Sequence, residues 1–468
     1  MPPPPIPPPA TPPVALDEMQ SRLERALASS PADATELIWV EARRGQESNG
    51  KRRRDSYELQ ERMVLARVRE AGRCGIHRTS GSEVSDLEGA IREALAQARL
   101  SPPSPPPLLP EGADGALAPM AGLHDPELAR MTSGRARELV QRLSDRDETV
   151  RLGWAQGRVA VLGSRGLRRS AEVTSAWATV TAGKGPGAGI ASAASRSLAG
   201  LGPSNLLARA RARQADDEEE EAPAGPVPVV LSQEAAAALL EMLNRRAFTS
   251  TAYHHGAPFL REALGTPVFH AAISLRDDAT DARGIPFPFD LLGSAKRPLD
   301  LIERGVFLTP ALDERLAADL GRRPTPHLVA PDEAAPGHLF LLPGEHPDAE
   351  LLSGAAGGVW IGALDPVQGH DPGSLRFRAL ARGVRRIVDP APPLPGAGGE
   401  GEIHRFLGAP LPDLLWEDDL RALLSEGVAV GSEPVTVPLG DGLFGGITAP
   451  ILFLERVAGL SPTSAPTR

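Results

Sequence analysis

Apolar residues in the first hundred positions follow a helical period and then a strand period. Met19, Leu23 and Leu27 recur every four residues and predict an amphipathic helix over 16–28. Alternating or β-branched runs then predict strands at 36–42, 62–69 and 74–79, and a second helical pattern covers 85–99. The pattern therefore indicates an amino-terminal α/β domain over 15–100.

A middle α/β region is predicted over 125–215. Its helices are expected at 132–143 and 204–213, and its strands at 158–162 and 171–180. The remaining chain, over 226–460, consists of short apolar runs separated by Gly, Pro and Asp. These runs predict a mostly antiparallel, β-rich domain with strands at 227–231, 268–274, 306–309, 338–342, 358–361, 387–389 and 451–457. The predicted fold class is α+β.

Low-complexity segments separate these regions. Residues 1–14 are proline-rich and predict a disordered, extended tail, and 101–124 predict a proline-rich linker. An acidic run opens the segment 216–225, which predicts an exposed, flexible boundary, and 461–468 form a short tail.

Composition narrows the functional classes. The 468 residues carry a net charge of −10, which argues against a general nucleic-acid-binding protein. Cys74 is the only cysteine, so an intrachain disulfide and a cysteine-based zinc site are excluded. The sequence shows no apolar run of about 18 residues and no signal-peptide pattern, so no membrane association and a cytoplasmic location are expected.

Histidines are the remaining candidate ligands, and they are scattered. His254 and His255 are adjacent, and on a strand their side chains would point to opposite faces, which makes a poor chelate. Together with Asp281 they form a weak alternative set of metal ligands. The glycine-rich stretch 183–189 fits neither a phosphate-binding nor a dinucleotide-binding pattern, and it predicts a flexible loop.

The segment from Pro226 to Phe248 is the most informative part of the chain. It predicts a strand followed by an Ala/Leu helix that has no histidine but carries Glu241, Arg245 and Arg246. Two imidazoles on one face of a helix, with a carboxylate beside them, could hold a metal ion and take a proton from bound water. Glu241 alone cannot do so.

Several blocks, in the same order along 36–460, resemble the TldD/PmbA family of zinc peptidases. They include the Gly-Arg-Cys-Gly turn at 72–75, Asp-Pro-Glu-Leu at 125–128, Pro-Val-Val-Leu-Ser-Gln-Glu-Ala-Ala at 228–236, Glu-Gly-Val-Ala-Val-Gly at 426–431 and Ala-Pro-Ile-Leu-Phe at 449–453. Two blocks depart from the usual PmbA pattern. Leu162–Gly166 replaces an Asn-Ser-x-Gly element, and Asp290–Gly293 replaces Asp-x-Glu-Gly. These departures leave open an ordinary PmbA subunit or a drifted paralogue.

The resemblance implies an assembly of two chains, one TldD-type subunit with zinc and one PmbA (TldE)-type subunit without it. Such pairs trim leader peptides and degrade flexible polypeptides. TldD-type chains carry His-Glu-x-x-x-His on the helix where this chain has Glu241, Arg245 and Arg246, and a cysteine near the carboxy-terminus that this chain lacks. The resemblance therefore implies a PmbA-type chain with no catalytic residue, no metal ligand and no cofactor of its own.

Three hypotheses follow. The first is a non-catalytic subunit that pairs with a TldD-type, zinc-bearing subunit and helps to hold an extended or unfolded peptide. The second is an autonomous metallopeptidase with an unrecognised site built from residues such as His254, His255 and Asp281. The third is a non-proteolytic, peptide-binding scaffold.

Overall fold

The computed structural model of the chain describes residues 14–50, 56–103, 117, 119–144, 147–256, 258–331, 333–369, 373–389, 400–440 and 442–463. The predicted tail up to residue 13, residues 104–116 of the predicted linker and residues 464–468 lie outside the described part.

Helices in the described part are short and mostly flank sheets. They are α1 (Leu16–Ala28), α2 (Val84–Leu100), α3 (Pro126–Ala129), α4 (Ser133–Leu143), α5 (Leu198–Leu201), α6 (Pro203–Ala212), α7 (Gln233–Leu243), α8 (Ser250–His255), α9 (Pro258–Glu262), α10 (Glu314–Asp319), α11 (Asp348–Gly354) and α12 (Leu420–Leu423). A π turn, Asn244–Phe248, continues α7, and 3₁₀ turns cover Gly185–Gly187 and Glu400–Phe406. None of the described helices combines the length and apolar character that a membrane crossing needs.

The first sheet is antiparallel and has the strand order β3-β2-β1-β4-β5-β6. Its strands are β1 (Ala34–Ser48), β2 (Tyr57–Glu70), β3 (Arg73–Thr79), β4 (Thr149–Gly163), β5 (Arg168–Ala182) and β6 (Gly189–Ser195). Because β1 pairs with β4, strands from both the predicted amino-terminal domain and the predicted middle region form one sheet. Several strands exceed their predicted lengths because charged residues continue the ladder. Arg43 and Arg44, for example, lie 2.6 Å from Glu58 and 2.5 Å from Glu61 across the β1–β2 pair.

Glycines let two indoles lie flat across this sheet. Gly45 is opposite Trp154, and Gly153 is opposite Trp177. A Cβ atom placed on either glycine would lie 2.1 Å from the facing indole ring. The side chain of each tryptophan therefore occupies the space that a cross-strand neighbour would otherwise fill.

The remaining strands form two large sheets and a small one. They are β7 (Val227–Leu231), β8 (Leu275–Asp277), β9 (Leu299–Glu303), β10 (Val306–Phe307), β11 (Leu328–Ala330), β12 (Glu333–Ala334), β13 (His338–Leu341), β14 (Val359–Gly369), β15 (Arg376–Ile387), β16 (Leu407–Pro410), β17 (Leu414–Asp419), β18 (Val428–Val430), β19 (Val435–Pro438), β20 (Gly446–Ala449), β21 (Leu452–Val457) and β22 (Leu460–Pro462).

The second sheet has the order β10-β9-β8-β13-β20-β19, the third β18-β21-β7-β14-β15-β17-β22 with β16 also on β15, and β11 pairs with β12. The β7–β14 and β13–β20 pairs are parallel, and the other pairs are antiparallel. The prediction of an α+β fold with a mostly antiparallel, β-rich carboxy-terminal region is confirmed.

Two predicted strands in this region are wrong. Residues 268–274 form turns, because the amides of Val268 and Phe269 donate to the Gly305 carbonyl and that of His270 donates to Leu424 instead of to a ladder. Val268, Phe269 and Ile273 are nevertheless buried, and a short run with buried apolar residues looks like a strand in the sequence. The run 387–389 also fails, since β15 ends at Ile387.

Helix α7 lies between the second and third sheets, against β20 and β14. Ser232 caps its amino terminus by accepting a hydrogen bond from the Ala235 amide at 3.0 Å. Leu239, Leu240 and Leu243 are buried in the largest apolar cluster, and each buried leucine contributes about 1.5–3 kcal/mol. This packing fixes the direction in which the end of α7 and its π turn point.

Candidate functional site

The end of α7 places Glu241, Arg245 and Arg246 at the position where the sequence predicts a lost metal motif. Arg245 Nη2 lies 3.4 Å from Glu241 Oε1, one helical turn away, and Arg246 Nη2 donates to the Gly369 carbonyl at 3.3 Å. A guanidinium is always protonated and cannot ligate a cation. The side chains present on this helix therefore do not fit a zinc ion.

His254 and His255 lie on helix α8, not on the strand that the sequence analysis assumed. Thr249 begins this helix by accepting a hydrogen bond from the Ala252 amide at 3.0 Å, a local signal in the sequence that favours a helix over a strand. The two imidazole rings meet edge to face, with centroids 4.6 Å apart, and His254 Nδ1 lies 3.9 Å from Asp319 Oδ2.

Asp281 lies in the turn after β8, where it pairs with Arg283 at 2.5 Å. Its hydrogen bond from Arg283 holds the pKa of the Asp281 carboxyl below its ordinary value. Within the described ranges, no three side chains of His, Cys, Asp or Glu lie together in a way that could hold a metal ion. The structure thus does not bring Asp281 together with His254 and His255.

One buried carboxylate on α7 was not predicted from the sequence. Glu234 accepts hydrogen bonds from Arg209 and Arg213, each at 2.9 Å, and from the Ser192 amide at 2.8 Å. Burial raises the pKa of Glu234, but Arg213 and Arg209 outweigh it and bring the pKa below the ordinary value. An Arg-x-x-x-Arg spacing at 209–213 was the only sequence signal.

A cavity of about 810 Å³ lies between the first sheet and the carboxy-terminal region. One wall comes from β1, β2, β3 and β4, and the other from the loop after β8, from β11 and from the start of β13. Its apolar lining includes Val40, Val159, Phe287, Phe289, Leu291 and Phe444. A space of this size fits a small organic ligand.

Asp290 anchors the loop that forms one side of this cavity. Its carboxylate accepts hydrogen bonds from the amides of Leu292 at 3.0 Å, Ser294 at 2.9 Å and Leu328 at 3.3 Å. Burial raises the pKa of Asp290 to about 6, although Lys296 and these amides oppose the shift. In sequence, this block is distinguished only by its departure from a family pattern.

Two buried basic side chains, Lys296 and His338, line the cavity near Asp290. Burial lowers the pKa of Lys296 and lowers that of His338 to about 3, so this imidazole is neutral at neutral pH. The neighbouring Asp277 accepts from the His338 amide at 2.5 Å, and its Oδ2 lies 3.0 Å from Nε2 of His327.

A buried arginine ties the cavity wall to the first sheet. Arg196, directly after β6, donates to the carbonyls of Pro286 at 2.7 Å, Leu443 at 2.7 Å and Thr174 at 3.1 Å. Burial lowers its pKa to about 9. This side chain fixes the loop that carries Phe287 relative to the sheet.

A family model matches part of the chain, and several solved structures share its fold. Residues 224–391 match the PmbA/TldA metallopeptidase C-terminal domain. No curated protein sequence matches the chain. The fold and this domain define a metallopeptidase-related protein. Residues 224–391 thus carry a domain of the PmbA/TldA metallopeptidase family.

Three solved structures share the fold over nearly their whole length. A "putative modulator of a DNA gyrase" from Thermotoga maritima is 19% identical, with a TM-score of 0.75 over 96% of this chain and 100% of that one. TldE from Thermococcus kodakarensis is 18% identical, with a TM-score of 0.74 over 95% and 99%. A "putative modulator of DNA gyrase" from Bacteroides thetaiotaomicron is 16% identical, with a TM-score of 0.70 over 95% and 98%.

Proposed function

We propose that this chain is the non-catalytic, PmbA (TldE)-type subunit of a zinc peptidase complex that acts on extended or unfolded peptides. The observation that carries the proposal is the ion pair between Glu241 and Arg245 on the helix where a TldD-type chain would have its two histidines. The zinc and the hydrolytic water then belong to a TldD-type partner subunit, and this chain needs no cofactor.

An edge strand of the first sheet supports a role in holding the peptide. β3 stands at the end of this sheet; Arg73 at its start is bridged to Pro103, whereas Arg78 and Thr79 at its other end line the 810 Å³ cavity. An extended peptide can add to such an edge through backbone hydrogen bonds, with little dependence on its sequence. The opposite edge is less open, because the Ser192 amide on β6 already donates to Glu234.

The two alternatives have less support. An autonomous metallopeptidase needs ligands that converge, whereas Asp281 is bound to Arg283 and His254 lies beside Asp319. A peptide-binding scaffold without proteolysis uses the same sheet edge, and only the partner distinguishes it from the leading proposal.

Copurification with a TldD-type, zinc-bearing chain tests the proposal. We expect a stable complex that cleaves an unfolded protein, while this chain alone neither cleaves it nor binds stoichiometric zinc by elemental analysis. Alanine in place of either histidine of the partner's motif is expected to abolish cleavage.

Glu241→Gln in this chain is the counterpart of the substitutions in the partner's motif, and it is expected to leave cleavage by the two-chain complex unchanged. Stoichiometric zinc on the chain alone, with chelator-sensitive cleavage that is lost in His254→Ala or His255→Ala, would establish the autonomous enzyme instead. A complex that binds peptide but never cleaves it would establish the scaffold.

A further inference from the structure

Lys296 is a buried cation that has no partner of its own. Its side chain lines the cavity and is 9% exposed. Among the residues that the structure describes, no acceptor bonds its ammonium group and no carboxylate lies within ion-pairing distance. A buried ammonium whose N–H groups bond no acceptor is costly, so this site favours an incoming anion.

Nearby carboxylates are already occupied by other groups. The Asp290 carboxylate accepts hydrogen bonds from three backbone amides. The Asp277 carboxylate accepts a hydrogen bond from the His338 amide and contacts the His327 imidazole. Both act on Lys296 only through space. They reduce the cost of its charge but leave its three N–H donors free for a ligand.

The facing wall of the cavity is positively charged at its rim. Arg44, Arg62 and Arg78 line this wall, with Glu61 as its one acidic side chain. Glu61 pairs with Arg44, and Arg62 pairs with Glu41. With these two arginines paired, Arg78 leaves the wall with a net positive charge, which attracts an anion.

The rest of the lining selects an apolar ligand. Phe287 packs against Phe289 and Phe444, with ring centroids 5.2 and 5.4 Å apart, and Val159 and Leu291 complete the apolar surface. A ligand that suits both this apolar lining and the Lys296 ammonium carries an apolar group and ends in a single negative charge of carboxylate size. Polyanions are disfavoured, because Lys296 is the one buried cation without a partner in the described part of the cavity.

We propose that this cavity binds an apolar carboxylate, with Lys296 as its ion-pair partner. The carboxylate is either the carboxy-terminus of a peptide that ends in an apolar residue or a free aromatic or aliphatic acid. Binding requires neither a zinc-bearing subunit nor proteolysis, so the proposal stands or falls separately from the proposed function.

Calorimetric titration of the full chain with matched ligands tests this. The probes are phenylpropanoate and its amide, and an acetylated tripeptide ending in phenylalanine as acid and as amide. We expect at least one acid to bind roughly tenfold or more tightly than its amide, the range for a hydrogen bond to a charged group. Equal affinity of acid and amide, or no binding of any probe, would overturn the proposal.

Variants then assign the charge to Lys296. Lys296→Met is expected to weaken acid binding to the level of the amide, while Lys296→Arg retains a preference for the acid. Lys184→Met, an exposed lysine paired with Asp147 at 2.8 Å, is the matched control and leaves both affinities unchanged. If Lys296→Met does not fold, the affinities of the acids and amides for the unaltered protein still test whether the cavity binds a carboxylate.

The two acids identify the source of the carboxylate. Tighter binding of the peptide acid indicates a peptide carboxy-terminus, because the preceding residues then contribute contacts. Binding of phenylpropanoate alone indicates a free acid. An acid preference that survives in Lys296→Met would contradict the assignment of the charge.

Discussion

Arg213 Nη1 donates to Glu234 Oε2 at 2.9 Å, and this bond joins the end of α6 to the first turn of α7. Both side chains are only 6% exposed. Glu234 also accepts from Arg209 on α6 and from the Ser192 amide on β6. A single carboxylate therefore connects the first sheet, α6 and the helix that lies between the other two sheets.

Glu234→Gln is expected to destabilise the protein strongly. Removing the charge from this buried network deprives Arg213 of its buried carboxylate partner, which costs about 3–5 kcal/mol of unfolding free energy. Urea unfolding followed by circular dichroism measures the loss. Glu241→Gln removes a longer ion pair whose arginine is exposed and whose carboxylate is half-buried, worth about 0–1 kcal/mol, and serves as control. Similar losses in both variants would show that the buried network contributes little.

The same carboxylate gives a pH dependence. Because the folded pKa of Glu234 lies below its ordinary value, the native state binds fewer protons there than the unfolded state. Its contribution to stability is complete above the ordinary carboxyl pKa and is lost as the pH falls through the folded pKa. Unfolding free energies of the wild type and Glu234→Gln are expected to converge on acidification. A gap that stays constant down to the lowest pH at which the protein folds would contradict this.

Gly153→Ala tests the packing of an indole across a glycine. The added methyl would lie 2.1 Å from Trp177, so the ring must move, at a cost of about 1–3 kcal/mol. Gly89→Ala, within α2, is the matched control, because its Cβ meets nothing closer than 3.7 Å. That change is expected to stabilise by about 0.5–1 kcal/mol. Thermal unfolding that shifts in the same direction for both variants would refute the packing argument.

Local apolar patterns predicted some elements well because neighbouring residues determine them. The predicted bounds of α1 and of β7 agree with the structure, since α1 has apolar residues every four positions and β7 is an unbroken apolar run. Strands of the first sheet were predicted too short, because charged residues such as Arg43 and Arg44 extend the ladder only when their partners are aligned. Partner alignment is a long-range property that local pattern does not contain.

The candidate site illustrates the same limit. The residues at the end of α7 could be proposed from the sequence because they are contiguous, and their assignment to a lost metal motif stays a prediction. The cavity could not, since Val159, Phe287, Lys296 and His338 come from distant positions and none belongs to a recognisable motif. The burial of Glu234 was not predicted either. An acidic residue in the first turn of a helix favours the helix dipole from a solvent-exposed position, so its presence there does not indicate burial.

Arg196→Lys is expected to destabilise by about 3 kcal/mol, because lysine cannot donate to several carbonyls at once and leaves buried acceptors unpaired. The carbonyls of Pro286 and Leu443 lose their donor, so the loop carrying Phe287 is held less firmly against the first sheet. Arg135→Lys, at an exposed site on α4, is the control and changes stability by about 0.5 kcal/mol or less. Hydrogen exchange in the loop, compared between the variants, shows where the fold opens.

Asp290 predicts a pH dependence of the opposite sign from Glu234. Its folded pKa of about 6 lies above the ordinary value of 3.8, so between these values the native state binds a proton that the unfolded state has released. Stability from this site therefore falls as the pH rises from about 4 to about 6, and the penalty is complete above that.

Asp290→Asn removes the titration while its amide oxygen still accepts the hydrogen bonds from the amides of Leu292 and Ser294. Urea unfolding across this range is expected to show the wild type losing stability relative to the variant as the pH rises. Asp278→Asn, at an exposed turn where the carboxylate accepts from the Thr280 amide, is the matched control. Parallel stability curves for the wild type and Asp290→Asn would mean that the loop beside Lys296 does not bury an ionisable group.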